Sequence, residues 1–200
     1  MEDRKFWKSR WTSSKKLPPN NFAKRAYSLI KKKKFKTVLD VGAGNGRDSA
    51  FFLEKGLAVT AIDFSESGIE KIKSLNSEVK TYCTDIRKIK LPKNSFDVIY
   101  AHLSLHYFND KETEKIFDNL YGILKKGGLI FVKCKSIDDA LYGKGKKMGE
   151  DMYIKDHMRH FFSKDYMTDK MRKFKNVIVG KTSSVYHSYK SDFIEAVASK

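Results

Sequence analysis

Apolar and polar residues follow two periods along this chain. Short stretches rich in apolar residues recur at 37–41, 58–62, 79–82, 96–101 and 129–134, and each reads as a short strand. Between them apolar positions fall three and four apart, the spacing of a helix with one buried side. A helix is expected over 22–33, with Phe22, Ala26, Leu29 and Ile30 on one face. Another is expected over 47–55, closed by Gly56, and a third over 66–75, capped by Ser65. A fourth, over 111–124, runs into Lys125-Lys126-Gly127-Gly128, which reads as a C-cap turn. Strands alternating with helices imply parallel βαβ units and a doubly wound α/β sheet covered on both faces. The last two strands, 176–182 and 192–198, have no clear helix between them and read as a hairpin. They bring the sheet to seven strands, mostly parallel, with one antiparallel strand at its edge.

Open α/β sheets bind ligands beyond the carboxyl ends of their strands. The first strand runs there into Val38-Leu39-Asp40-Val41-Gly42-Ala43-Gly44-Asn45-Gly46, with glycine at alternate positions. Such a loop accepts positive φ and lets a ligand approach the backbone, and the helix after it offers unpaired N–H groups to an anion. Asp63 ends the second strand and suits a pair of ribose hydroxyls, or else starts a turn or caps a helix. Asp85-Ile86 follows the third strand, where the carboxylate either accepts from an exocyclic amine or closes an Asx turn. The spacing departs from the G-x-G-x-x-G of dinucleotide sites, since Arg47 stands after an early third glycine, and no phosphate-binding G-x-x-x-x-G-K-[ST] run occurs.

These stretches, with Ala61-Ile62-Asp63-Phe64-Ser65 and Phe96-Asp97-Val98-Ile99, resemble class I S-adenosylmethionine-dependent methyltransferases. The Gly-Asn-Gly-Arg-Asp form of the loop is similar to small-molecule members of the tellurite-resistance and thiopurine type. The resemblance implies a single Rossmann-like domain over 1–200 and S-adenosylmethionine as cofactor. It implies that Gly42, Ala43, Gly44 and Gly46 run beside the methionine part and that Asp40 orients the loop and the α-amine. Asp63 would hold the ribose, with Phe64 beside the adenine. Asp85 and Ile86 would meet the base, and Ala101 and His102 would pass the sulfonium. The reaction implied is in-line SN2 methyl transfer. An Asn/Asp-Pro-Pro-aromatic motif is missing after strand four, where Ala101-His102-Leu103-Ser104 stands, and Cys134 lacks a preceding Thr. Adenine-amino and cytosine-C5 acceptors are therefore disfavoured.

Composition adjusts this picture in three places. The net charge is +17, and residues 1–36 hold 13 Lys/Arg against Glu2 and Asp3. This basic segment caps the domain and is a candidate arm for nucleic acid, although lysine dominates over the arginine favoured for bidentate phosphate contacts. Phe6-Trp7-Lys8-Ser9-Arg10-Trp11 puts two aromatics on one helix face. The long connection 136–172 reads as a substrate lid. In it His157-Met158-Arg159-His160-Phe161-Phe162 is either an amphipathic helix or a substrate clamp, with Arg159 on an anionic acceptor. His106 and His160 are candidate bases. No metal site is expected. Cys83 and Cys134 lack redox or metal spacing and are expected to be reduced and buried, in a cytoplasmic protein with no membrane insertion; the resemblance implies a small-molecule substrate. The alternatives are an RNA or protein methyltransferase recruited by the basic arm, a non-catalytic nucleoside-binding module and an NAD enzyme.

Overall fold

The computed structural model describes Trp7 and residues 18–186 and 189–200. Its elements run α1 (Asn21–Ile30), β1 (Thr37–Val41), α2 (Arg47–Glu54), β2 (Ala58–Asp63), α3 (Glu66–Leu75), β3 (Lys80–Cys83), a 3₁₀ turn (Ile86–Lys88), β4 (Phe96–His102), α4 (Asp110–Ile123) and β5 (Leu124–Lys135). Then follow β6 (Lys146–Gly149), β7 (Met152–Ile154), β8 (Met158–His160), α5 (Lys164–Lys170), β9 (Lys175–Tyr186) and β10 (Tyr189–Ser199). Seven strands form one sheet in the order β3-β2-β1-β4-β5-β10-β9. β1 to β5 are mutually parallel, and β10 runs antiparallel to both β5 and β9.

Alternation along the central strands splits the core in two. Leu39, Val41 and Ile99 face Leu120, Phe162 and Met167 from the α4 and α5 side. Val38, Val98 and Tyr100 face Phe22, Ala26, Phe52 and Ile72 from α1, α2 and α3. Local chemistry sets the helix ends. Asn20, Ser65 and Ser163 each accept a backbone N–H from the first turn, and α4 starts with a reciprocal Asn109–Glu112 capping box.

Four expectations are corrected. The first helix stops at Ile30, before the lysine run. Lys125-Lys126-Gly127-Gly128 is an irregular start of β5, because Leu124 is already extended and pairs with Phe96 before the register shifts. The antiparallel strand is internal: β10 is bonded on both sides, and β9 forms the edge. Residues 158–160 are a strand, not helix, because they pair with β7 in a second sheet of order β6-β7-β8. No helix among the described residues is long and apolar enough to cross a membrane.

Candidate active site

The carboxyl ends of β1, β2 and β4 meet at the glycine loop. Asp40, 2% exposed on β1, accepts a 2.6 Å bond from Ser49 Oγ in the first turn of α2. Burial, then repulsion from Asp48, lifts its carboxyl to about 8. No cation touches it among the described residues. Gly42 takes φ 72°, and a Cβ there would overlap the side chain of Ser104 beyond β4. Ser104 Oγ donates to Val41 O (2.6 Å), so the loop is wedged against the exit of β4. The N–H groups of Gly42 and Ala43 both donate to Ile62 O, at 2.8 and 2.9 Å.

Asp63 ties the same loop to β2. Its Oδ2 accepts from Gly44 N–H and its Oδ1 from Ser65 N–H, each at 2.8 Å. Each oxygen keeps lone-pair capacity for a further donor. Burial outweighs these bonds and raises the carboxyl. Phe64 follows, half-buried. Asp85 takes the Asx-turn form: its Oδ1 accepts from Arg87 N–H (2.9 Å), and both oxygens hold the Arg87 guanidinium. Burial pushes this carboxyl up, but the Arg87 bonds win and hold it below the usual range. Ile86 packs beneath with Leu39 and Ile62.

Sequence reasoning missed a buried network beside the loop. Asp48 accepts from Asn20 N–H (3.0 Å), the Asn20 amide and Tyr100 Oη (3.1 Å). An acid in a helix's first turn is the one signal it carried; Tyr100 was hidden inside an apolar run.

Across the glycine loop from β2, Ala101 and His102 close β4. His102 is pushed down to about 3 by burial, then by Lys133, Arg47 and Arg25, and its ring stacks on Tyr100. His106 is 1% exposed and its Nδ1 has no hydrogen-bond partner among the described residues. Burial, then Lys135, Arg159 and His157, hold its imidazole well below 6.5, hence neutral. Its carbonyl accepts from His160 N–H (2.9 Å), which brings β8 to the β4 exit. The register of the small sheet sets Lys147, Tyr153 and Arg159 in one cross-strand row. His160 points to the opposite face and packs on Phe162 and Tyr166 (5.3 and 4.5 Å between centroids). Trp7 meets Tyr107 and His157 at 5.3 and 5.4 Å; Trp11 and the rest of that aromatic segment lie outside the described residues. Cys83 is exposed, contrary to expectation, because β3 is an edge strand with little cover; Cys134 is buried.

Residues 38–128 match a family model described as Methyltransferase domain. Phosphoethanolamine N-methyltransferase 1 of Triticum aestivum is 35% identical over 104 residues, 49% of this chain and 21% of that relative's length. A crystal structure of SAM-dependent methyltransferases from Methanosarcina mazei aligns over 92% of this chain and 99% of its own, with TM-score 0.78 and 15% identity. The 1,6-didemethyltoxoflavin-N1-methyltransferase of Burkholderia thailandensis, solved with bound 1,6-didemethyltoxoflavin and S-adenosylhomocysteine, aligns over 99% of this chain and 84% of its own, with TM-score 0.74 and 17% identity.

Proposed function

We propose that this chain, whose residues 38–128 match a methyltransferase domain, is a class I S-adenosylmethionine-dependent methyltransferase that methylates a small acceptor bearing an anionic group. One observation carries the reading: a buried Asp40, with no ion-pair partner in contact among the described residues, lies directly under a left-handed glycine loop at the carboxyl ends of β1, β2 and β4. A cofactor with a cationic amino-acid end fits that acid. A peptide backbone stripped of Cβ atoms fits its close approach.

Bound S-adenosylmethionine supplies a methyl group on a positively charged sulfur that leaves as a neutral thioether. The residues of this chain bind and orient. Gly42, Ala43, Gly44 and Gly46 lie along the methionine part, with Asp40 and Ser49 setting the loop and the amine. Asp63 takes the ribose hydroxyls on its remaining lone pairs. Phe64 and Ile86 would lie beside the base, and Asp85, which also holds Arg87, would accept from its amine. Ala101 and His102 form the wall at the exit of β4, and the His102 imidazole adds no positive charge there. Neutral His106, with a free Nδ1, accepts the proton that a nucleophilic O–H or N–H loses. Arg159 binds the anionic group of the acceptor, with Lys147 and Tyr153 in its row. The segment 136–172 serves as a lid and His160 as its inner packing. The wheat relative's name makes a phosphorylated amine the first acceptor to try.

Calorimetric titration tests the reading. Micromolar binding of S-adenosylmethionine and S-adenosylhomocysteine, with none of NAD, is expected. Methyl incorporation into phosphoethanolamine exceeding that into ethanolamine would support the anionic-acceptor half. Equal turnover of the two would overturn that half alone, and preference for NAD would overturn the whole.

A further inference from the structure

The end of the sheet opposite the glycine loop gathers positive charge that methyl transfer does not use. Lys36 precedes β1, Lys93 precedes β4, Lys126 lies in the irregular start of β5, and Lys200 follows β10. Backbone and side-chain bonds hold these four segments together. Lys36 N–H donates to Asp97 Oδ2 (3.0 Å), and Lys125 Nζ donates to the other oxygen (2.9 Å). Lys200 Nζ donates to Asn94 Oδ1 (2.9 Å) and Gly122 O (3.3 Å), while Gly127 N–H donates to Lys200 O (3.0 Å). The exposed stretch Lys31-Lys32-Lys33-Lys34 precedes Lys36, with Phe35 between them.

The acids at this end do not balance it. Asp97 is committed to Lys125 and to the backbone of residues 36 and 37. Glu54 and Glu78 stand farther along the rim, at the end of α2 and before β3. None of the eight lysines in the run 31–34 and at 36, 93, 126 and 200 forms an ion pair among the described residues. The Lys200 ammonium is pulled below lysine's ordinary range by burial, and further by Lys126 and Lys93, which shows that these charges feel one another. Leu29, 55% exposed, sits in the last turn of α1 beside the run.

We propose that this face docks onto an anionic lipid surface, with the cofactor end of the sheet turned toward solvent. Charge of one sign spread over converging loops matches the diffuse negative potential of an acidic bilayer, where each nearby lysine adds to affinity. Exposed Leu29 supplies an apolar contact at the headgroup level. Nucleic acid is the weaker fit. Among the described residues the face offers no arginine forks for phosphate, and its aromatics Phe35 and Tyr121 are half-buried under Lys33 and Lys200 rather than open as a platform for bases.

The whole chain should be sedimented with vesicles of phosphatidylcholine alone and of phosphatidylcholine with about one third phosphatidylserine. Binding to the acidic vesicles only is expected, and it should fall steeply between about 0.05 and 0.5 M salt as screening shortens the reach of the charges. The Lys36→Glu/Lys93→Glu/Lys126→Glu variant should bind the acidic vesicles at least tenfold more weakly, while its affinity for S-adenosylhomocysteine stays unchanged. The corresponding Gln variant, which cannot introduce repulsion, should fall between the two. Equal binding to both vesicles, no binding to either, or undiminished binding of a folded Glu variant would each overturn the proposal. Duplex RNA that binds more tightly than the acidic vesicles would overturn it in favour of a nucleic-acid face.

Discussion

Asp40 shows how a single residue ties stability to function. Its carboxyl belongs near 3.8 in water and is raised to about 8 in the fold. Between those values the unfolded chain releases a proton that the folded chain keeps, so rising pH drains stability through this window. Asp40→Asn keeps an acceptor for Ser49 and removes the charge. The variant should therefore melt higher than the parent, with a larger gain at pH 8 than at pH 5, and should bind S-adenosylmethionine more weakly. A gain independent of pH would refute the buried-acid account. Gly42→Ala, by contrast, forces a side chain into the left-handed region and onto Ser104. A loss of about 2 kcal/mol or more in denaturant melts is expected, from backbone strain together with the overlap. The depressed imidazole of His106 makes a third prediction. A base that stays neutral in acid should sustain turnover through about pH 6.5, an ordinary histidine midpoint, and fall only below it. His106→Gln should lose that acid limb along with most of kcat.

Elements decide what neighbouring residues can do together. Arg159 and His160 are adjacent in sequence, yet a strand sends them to opposite faces, one in a row with Lys147 and Tyr153 and one into the core. A helix would have set them about 100° apart on one surface. Arg159→Ala should lower kcat/KM for the anionic acceptor at least tenfold, the order of losing a charge-assisted bond, with the calorimetric affinity for S-adenosylhomocysteine unchanged. A drop in cofactor affinity of the same size would place Arg159 in the wrong site. The apolar run 96–101 and the glycine loop were legible because their local pattern and their element agree. The Met158–His160 strand was not, since a three-residue strand has no period of its own and exists only through pairing with β7. Asp85 was legible as two alternatives. The structure shows the Asx turn, with the Arg87 guanidinium held on both oxygens.

At the scale of the whole molecule, a ligand that binds only the folded sheet raises its melting temperature by mass action. At about 100 times the dissociation constant the gain is about 2.7 kcal/mol, and a chain of this size moves by about 2–4 °C per kcal/mol. S-adenosylhomocysteine should thus shift the melt by about 5–10 °C and NAD should leave it in place. The order of strands and helices from α1 to β5, the buried runs, the glycine loop and the acids at strand ends were all set by local pattern, because periodicity and backbone freedom are properties of short stretches. Tertiary structure alone decided the rest. It made β10 an internal strand, left Cys83 exposed on the edge, joined Asn20 and Tyr100 to Asp48, and gathered lysines from four distant segments at one end of the sheet. Each of these depends on which segments lie side by side, and the pairing of remote segments leaves no mark on the local spacing of residues.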